Sequence, residues 1–373
     1  MIYLDNAATT LFKPEQVYSC SDVILRNYSA NAGRGGHSAS MKASEIIFSA
    51  RSTIADFLNI EKCENVIFTF GCTDSLNLII NGLFKKGDHI LTTVYEHNSV
   101  LRPLENLKEK GVEYTVMLPN ANGIIDEKIL NENLKPNTKA VIVNYVSNVT
   151  GIIQDMHLIS RFKNKHGLLL IVDGAQAVGT QRLDFDYDYI CCAGHKGLYG
   201  PQGIGILGIN TDIIPKPLRF GGTGTMTFDL TQPYDLPEYL ESGTLSVQNI
   251  ASLEEGVKFV KVNQDKILKH EIALAQALID GLNKIKNVVI YSPQKIQSGV
   301  VAFNINDIDS ITVAEILNKK YGICCRGGFH CAPLLHKYLK TENIGAVRIS
   351  VSVFNTMDEI LFLLKAVKEI AKK

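Results

Sequence analysis

Lys196 is the sole lysine, arginine or carboxylate in "AGHKGLYGPQGIG" (residues 193–205), where five glycines surround it. At its ordinary pKa such an amine is protonated and not nucleophilic. In a small-sided, partly buried pocket the pKa falls, and the amine can condense with an aldehyde as a Schiff base. The glycines permit tight turns and close backbone approach. A surface lysine in a glycine-rich loop is the plainer reading of this segment taken alone.

Asp173 shifts the balance. "LLLIVDGAQAVG" ends a buried apolar run on a carboxylate, with Gln176 three residues on. A carboxylate there could keep a heterocyclic nitrogen protonated, as pyridoxal phosphate requires when it acts as an electron sink. A helix N-cap is the alternative, since a helical-looking segment follows. One strand and its return separate Asp173 from Lys196, so both can meet one ligand. A phosphate needs backbone N–H groups at a helix start, plus hydroxyls. "FGCTDSLN" offers Gly71, Cys72 and Thr73 at such a point, although a threonine there is more often a plain N-cap. His97 in "YEHNSV" could stack on a flat ring or relay a proton; a lone histidine is more often structural.

The elements that must position these residues are legible as short apolar runs. "NVIFTF" (65–70), "DHILTTV" (88–94), "KAVIVNYVS" (139–147), "LLLIVD" (168–173) and "YDYICCAG" (187–194) alternate with helical patterns. Near-continuous apolar runs read as strands buried on both faces, and the alternation implies a mainly parallel sheet in an α/β fold. Ligands bind beyond the carboxyl ends of such strands. Residues 247–285 read as largely helical, with β-like segments at 287–292 and 298–305. "TMDE" predicts a capping box from Thr356 to Glu359 ahead of an apolar stripe at Ile360, Leu363, Leu364, Val367 and Ile370. The chain of 373 residues suits a large domain over 14–250 and a smaller α+β domain built from 1–13 and 251–373.

Lys+Arg and Asp+Glu are both 38, and no basic stripe stands out, so a nucleic-acid partner is not expected. The N-terminus has Asp5 and no basic flank before an apolar run, unlike a secretory signal. No apolar run approaches the ~20 residues of a membrane span. A soluble, cytoplasmic protein with reduced thiols is expected. Most of the eight cysteines read as small core hydrophobes, with Cys324 and Cys325 buried in "YGICC". Cys331 in "RGGFHCAP" has Arg326 and His330 nearby to favour a thiolate. A zinc site with His330 and His336 lacks four convergent ligands, so no metal is expected.

Taken in order, "YLDNAATT", "GRGGHSAS", "EHNSV", "NVTG", "VDGAQAVG", "AGHKGLYGPQGIG", "ESGT", "RGGFHCAP" and "VRISVSVFNT" resemble the class V branch of fold-type I pyridoxal-phosphate enzymes. More narrowly they resemble the cysteine desulfurases with the short R-x-G-x-H-C-A loop, a group similar to selenocysteine lyases. The resemblance implies a role at each position. Lys196 carries the cofactor, Asp173 meets its ring nitrogen, Gln176 its ring hydroxyl, and His97 stacks on the ring. Gly71, the Cys72 N–H, Thr73 and His195 hold the phosphate, completed by Thr244 from a partner subunit. Asn148 contacts substrate and cofactor, and Arg348 clamps the substrate carboxylate. Cys331 carries sulfur, and the loop around Arg34 and His37 reaches across a homodimer with shared active sites.

The implied reaction turns L-cysteine into L-alanine and passes sulfur, as a Cys331 persulfide, to an acceptor protein, the start of sulfur mobilisation such as iron–sulfur cluster assembly. A selenocysteine lyase, or another class V lyase or aminotransferase, is the alternative on the same cofactor. A cofactor-free α/β scaffold is the alternative outside it, but no G-x-G-x-x-G follows the first strand and no G-x-x-x-x-G-K-[ST] occurs. Two positions depart from the family pattern: Ala193 stands where many desulfurases have a phosphate-binding serine, and Phe329 where the close group has a second histidine.

Overall fold

The apolar runs become strands stacked edge to edge. In the computed structural model, which describes every residue except Arg34, Thr227, Asp307 and Lys373, β1 (Ile2–Tyr3) opens the chain. There follow β2 (Val66–Thr69), β3 (His89–Thr93), β4 (Glu113–Met117), β5 (Thr138–Asn144), β6 (Leu169–Asp173), β7 (Tyr189–Ala193) and β8 (Gly205–Ile209). These seven form one sheet in the order β2-β8-β7-β6-β5-β3-β4. β8 is antiparallel to both neighbours, and the remaining pairings are parallel. The sheet is therefore mainly parallel, in an α/β fold, as the sequence predicts.

Side chains alternate between two cores. Val141, Val143, Leu170, Val172 and Ile190 face one, and Ala140, Ile142, Ile171, Tyr189 and Cys191 face the other. Helices cover both faces, which is why these strands read as continuous apolar runs instead of alternating ones. β4 and β8 do not stand out in the sequence. β4 is a partly exposed edge strand, and β8 is hidden in the glycine-rich stretch that follows Lys196.

A second sheet of order β12-β10-β9 joins β9 (Val288–Ile290), β10 (Val300–Ile305) and, after β11 (Ile323–Cys324), β12 (Val347–Ser350). β11 pairs with β1, so the N-terminus packs with the C-terminal third. The helix Val247–Leu282 links the two sheets: Val247 and Val257 lie in the core of the large one, and Leu274, Leu278 and Leu282 in that of the small one. The expected capping box is present at Thr356 and Glu359. Ile360, Leu363, Val367 and Ile370 are buried, with Leu364 half-buried beside them.

Two expectations are corrected. The segment after Asp173 is a series of turns, not a helix. Gly179 takes φ +111°, and a Cβ there would meet the Gly197 carbonyl oxygen at 2.2 Å. This close approach locks the turns onto the loop that carries Lys196. Cys324 and Cys325 are half-buried instead of fully buried.

Candidate active site

The parallel strands end on one edge, and the chemistry collects there. Asp173 closes β6, directly opposite Asn144 on β5 and Cys191 on β7. A cavity of about 480 Å³ lies beyond that edge. Its lining includes Gly71, Cys72, Thr73, His97, Asn148, Asp173, Gln176, His195 and Lys196, residues brought together from five separate segments at the strand ends.

One end is built for an anion. The helix Cys72–Leu83 begins after Gly71, which lacks a side chain to cap it; the Asp74 N–H turns back to the Gly71 carbonyl at 3.0 Å, which leaves the Cys72 and Thr73 N–H groups for a ligand. Thr73 is thus not the N-cap. Its hydroxyl is 2.7 Å from that of Ser99. Ser99 and Ala193 also line the cavity, and the Ser99 Oγ is 2.8 Å from His97 Nδ1. Sequence alone does not single out Ser99 within "EHNSV"; its one signal there is a hydroxyl two residues after His97.

The floor is Asp173, which is buried. Its Oδ1 accepts the Ala175 N–H at 3.0 Å and the Cys72 thiol at 3.5 Å. His97 caps the helix Asn98–Lys108 by accepting the Ser99 N–H on Nδ1 at 3.1 Å, so its structural and site roles coincide. Burial pushes the His97 pKa down against the pull of Asp173, assisted by Lys196. His195 is pushed down to about 4 by burial and by Lys196 and Lys13. Both imidazoles are neutral near pH 7.

Lys196 sits in the third residue past β7. Burial lowers its pKa; Cys72 and Asp173 pull it up, and Arg348 and Arg326 push it down. The loop is held from the N-terminal segment: the Thr10 N–H donates to the His195 carbonyl at 3.0 Å, and Gln176 Nε2 donates to the Ala7 carbonyl at 2.8 Å.

Cys331 is the exposed cysteine among the described residues. Two successive non-glycine residues, His330 (φ +48°) and Cys331 (φ +56°), are left-handed, a conformation that surrounding contacts must enforce. The Asn98 N–H donates to the Cys331 carbonyl at 2.8 Å, and Asn148 Nδ2 to the His330 carbonyl at 2.7 Å. Both donors belong to cavity loops, so the cysteine is tied beside the cavity. Burial pushes the thiols of Cys72, Cys191 and Cys192 up, and that of Cys325 up to about 12.

Arg348 is fully buried on β12. Nη1 donates to the Asn148 carbonyl at 3.0 Å and Nη2 to Asp5 Oδ1 at 2.7 Å, while Nε has no partner among the described residues. Asn148 Oδ1 and Asn144 Oδ1, both buried, are likewise unpartnered among the described residues. Thr244 and His37 are exposed and do not line the cavity of this chain; His37 caps the helix Ser38–Phe57. Arg34 lies outside the described residues. Neither Cys331 nor Arg348 is among the residues that line the cavity. The arrangement can bind an anion at a helix start and set a buried carboxylate and a desolvated amine around one cavity, with an exposed thiol on a neighbouring loop.

The aminotransferase class-V family model matches residues 2–363. A probable cysteine desulfurase from Pyrococcus abyssi is 35% identical, with 100% of this chain and 94% of that protein covered. The apo structure of a cysteine desulfurase from Thermococcus onnurineus NA1 superposes with a TM-score of 0.92 at 31% identity, covering 100% of this chain and 94% of that one. An Escherichia coli cysteine desulfurase in an S-sulfonic acid form gives 0.88 at 28% identity, covering 99% and 94%. The class-V aminotransferases, and among them the relatives named cysteine desulfurases, are the family to which this chain belongs.

Proposed function

We propose that this chain is a pyridoxal-phosphate-dependent cysteine desulfurase that converts L-cysteine to L-alanine and holds the released sulfur on Cys331. The observation that carries the reading is one cavity floored by Asp173, flanked by the desolvated Lys196, and tied at its side to the exposed Cys331. The open N–H groups after Gly71 and the hydroxyls of Thr73 and Ser99 fit a phosphate, and Asp173 fits a protonated ring nitrogen. When bound, the cofactor supplies an aldehyde for an amine and a ring that withdraws electrons from the substrate Cα.

Each residue has a task. Asp173 keeps the ring nitrogen protonated, His97 and Gln176 fix the ring, and His195 stands at the phosphate end. Asn148 and Arg348 orient the substrate, with the guanidinium facing its carboxylate. Lys196 Nζ takes the Cα proton and later returns a proton to carbon. The Cys331 thiolate attacks the substrate sulfur: an S–S bond forms, the Cβ–S bond breaks, and its electron pair stays with the carbon, which is then protonated. Water has access to Cys331, so the sulfur can pass to an acceptor protein.

The reading extends to the assembly. Residues 14–250 form the cofactor domain, and 1–13 with 251–373 form the domain bearing Cys331 and Arg348. In a homodimer, Thr244 and the loop with Arg34 and His37 reach the partner's site. No helix among the described residues is long and apolar enough to cross a membrane, in keeping with work in the cytoplasm. Measuring alanine, sulfide and keto acid from cysteine, selenocysteine and other amino acids tests the reading. Cysteine-dependent alanine release supports it; keto acid without alanine assigns an aminotransferase.

A further inference from the structure

His97 lines the cavity and could either stack on a flat ring or relay a proton. Its hydrogen bonds separate the two roles. His97 is the N-cap of the helix Asn98–Lys108. Three N–H groups at that helix start have backbone acceptors. Asn98 donates to the Cys331 carbonyl at 2.8 Å, and Val100 and Leu101 donate to the His97 carbonyl at 2.9 and 3.2 Å. The remaining N–H, on buried Ser99, donates to His97 Nδ1 at 3.1 Å. A backbone N–H has no lone pair to offer, so Nδ1 is the bare nitrogen. A neutral ring then carries its proton on Nε2. The Ser99 Oγ lies 2.8 Å from the same Nδ1 and can add its own O–H to it. That oxygen is also 2.7 Å from the Thr73 hydroxyl, which ties the serine to the anion end of the cavity.

We propose that Ser99 is a positioning residue that holds His97 as the Nε2–H tautomer and so bars it from carrying the substrate Cα proton. The tautomer rests on these hydrogen bonds alone; the consequence for the Cα proton rests on the desulfurase reading. A neutral imidazole with its proton on Nε2 can take up another only at Nδ1. Doing so would leave the buried Ser99 N–H without an acceptor and undo the helix cap. The surroundings act in the same direction. Burial opposes the imidazolium most, Lys196, Arg326 and Arg348 oppose it as well, and Asp173 favours it. The Cα proton is therefore left to Lys196. His97 contributes a neutral, flat ring in a fixed orientation, with Nε2–H as its one ring donor.

Two measurements test it. In the apoprotein, isotope-labelled on its histidine nitrogens, two-bond nitrogen–proton correlation spectra read each tautomer directly. His97→Asn, which can still cap the helix, identifies the His97 signals by their loss. At neutral pH Nδ1 should be bare and Nε2 protonated. Ser99→Ala removes one donor and should move the Nδ1 signal. Ser99→Pro removes both, in a first helical turn where proline is tolerated, and should let the two tautomers mix; if it does not fold, Ser99→Ala decides. A protonated Nδ1 in the wild type, or an Nδ1 signal indifferent to Ser99→Ala, would overturn the proposal. In the holoenzyme, Cα-deuterated cysteine should still exchange its label with solvent in His97→Asn, at most severalfold more slowly, and should not in Lys196→Ala. Loss of exchange in cofactor-loaded His97→Asn as complete as in Lys196→Ala would also overturn it. Absence of alanine release from cysteine by the wild type would overturn the desulfurase reading instead, and the apoprotein spectra would still decide on Ser99.

Discussion

Asp5, near the start of the chain, binds the guanidinium of Arg348 on β12 at 2.7 Å, with 2% of the arginine side chain exposed. The arginine proposed to face the substrate carboxylate is thus already half-engaged. Its remaining donors are Nε and the free edges of the guanidinium. Asp5→Asn should leave a buried charge without its partner and lower stability by about 3 kcal/mol. Denaturant melts of the two proteins measure this, and equal midpoints would show the pair to be energetically idle.

Asp173→Asn should still bind cofactor but turn over cysteine orders of magnitude more slowly. A neutral amide cannot hold the ring nitrogen protonated. Each pK unit of lost electron-withdrawing strength raises the barrier by up to about 1.4 kcal/mol. The absorption spectrum and the alanine rate together check this. Lys196→Ala should lose both turnover and the borohydride-fixable link to the cofactor.

Much of this was legible because the strands are buried on both faces and end on polar residues. Asp173 and Lys196 could be paired from one strand and its return. The Asp5–Arg348 ion pair could not, since 343 residues separate the two and only the folded pairing of the N-terminal segment with β11 and with Ser350 of β12 brings them together. The turns after Asp173 read as helix because "AQAV" suits one. The close approach of Gly179 to Gly197 overrode that local preference. The open helix start was visible in "FGCT", but a glycine N-cap moved Thr73 from the cap into the first turn.

Glu96, buried beside His97, has its pKa raised to about 8, chiefly by burial and in spite of hydrogen bonds from Thr93 and Asn144. The folded protein therefore keeps a proton that the unfolded chain releases above its ordinary value of 4.5. Stability from this group falls as pH rises from about 4.5 to about 8, then levels off. Glu96→Gln should match wild type in acid and gain on it by a few kcal/mol, in order of magnitude, towards pH 8. Melts across that range measure the difference; a constant difference would mean that Glu96 ionises normally.

A dimer is expected in sedimentation, because Thr244 and His37 are exposed in the single chain and stand away from its cavity. Thr244→Ala should weaken cofactor binding without altering the sedimentation coefficient. A fully active monomer would contradict the shared site.

The most direct measurement is the mass of each cysteine-bearing peptide after one turnover with cysteine. The account expects one added sulfur on Cys331 and none on Cys72, Cys191 or Cys192, whose thiols are buried and hard to ionise. Cys331→Ala should bind cofactor and substrate yet release little alanine. Sulfur found on another cysteine, or normal alanine release from Cys331→Ala, would contradict it.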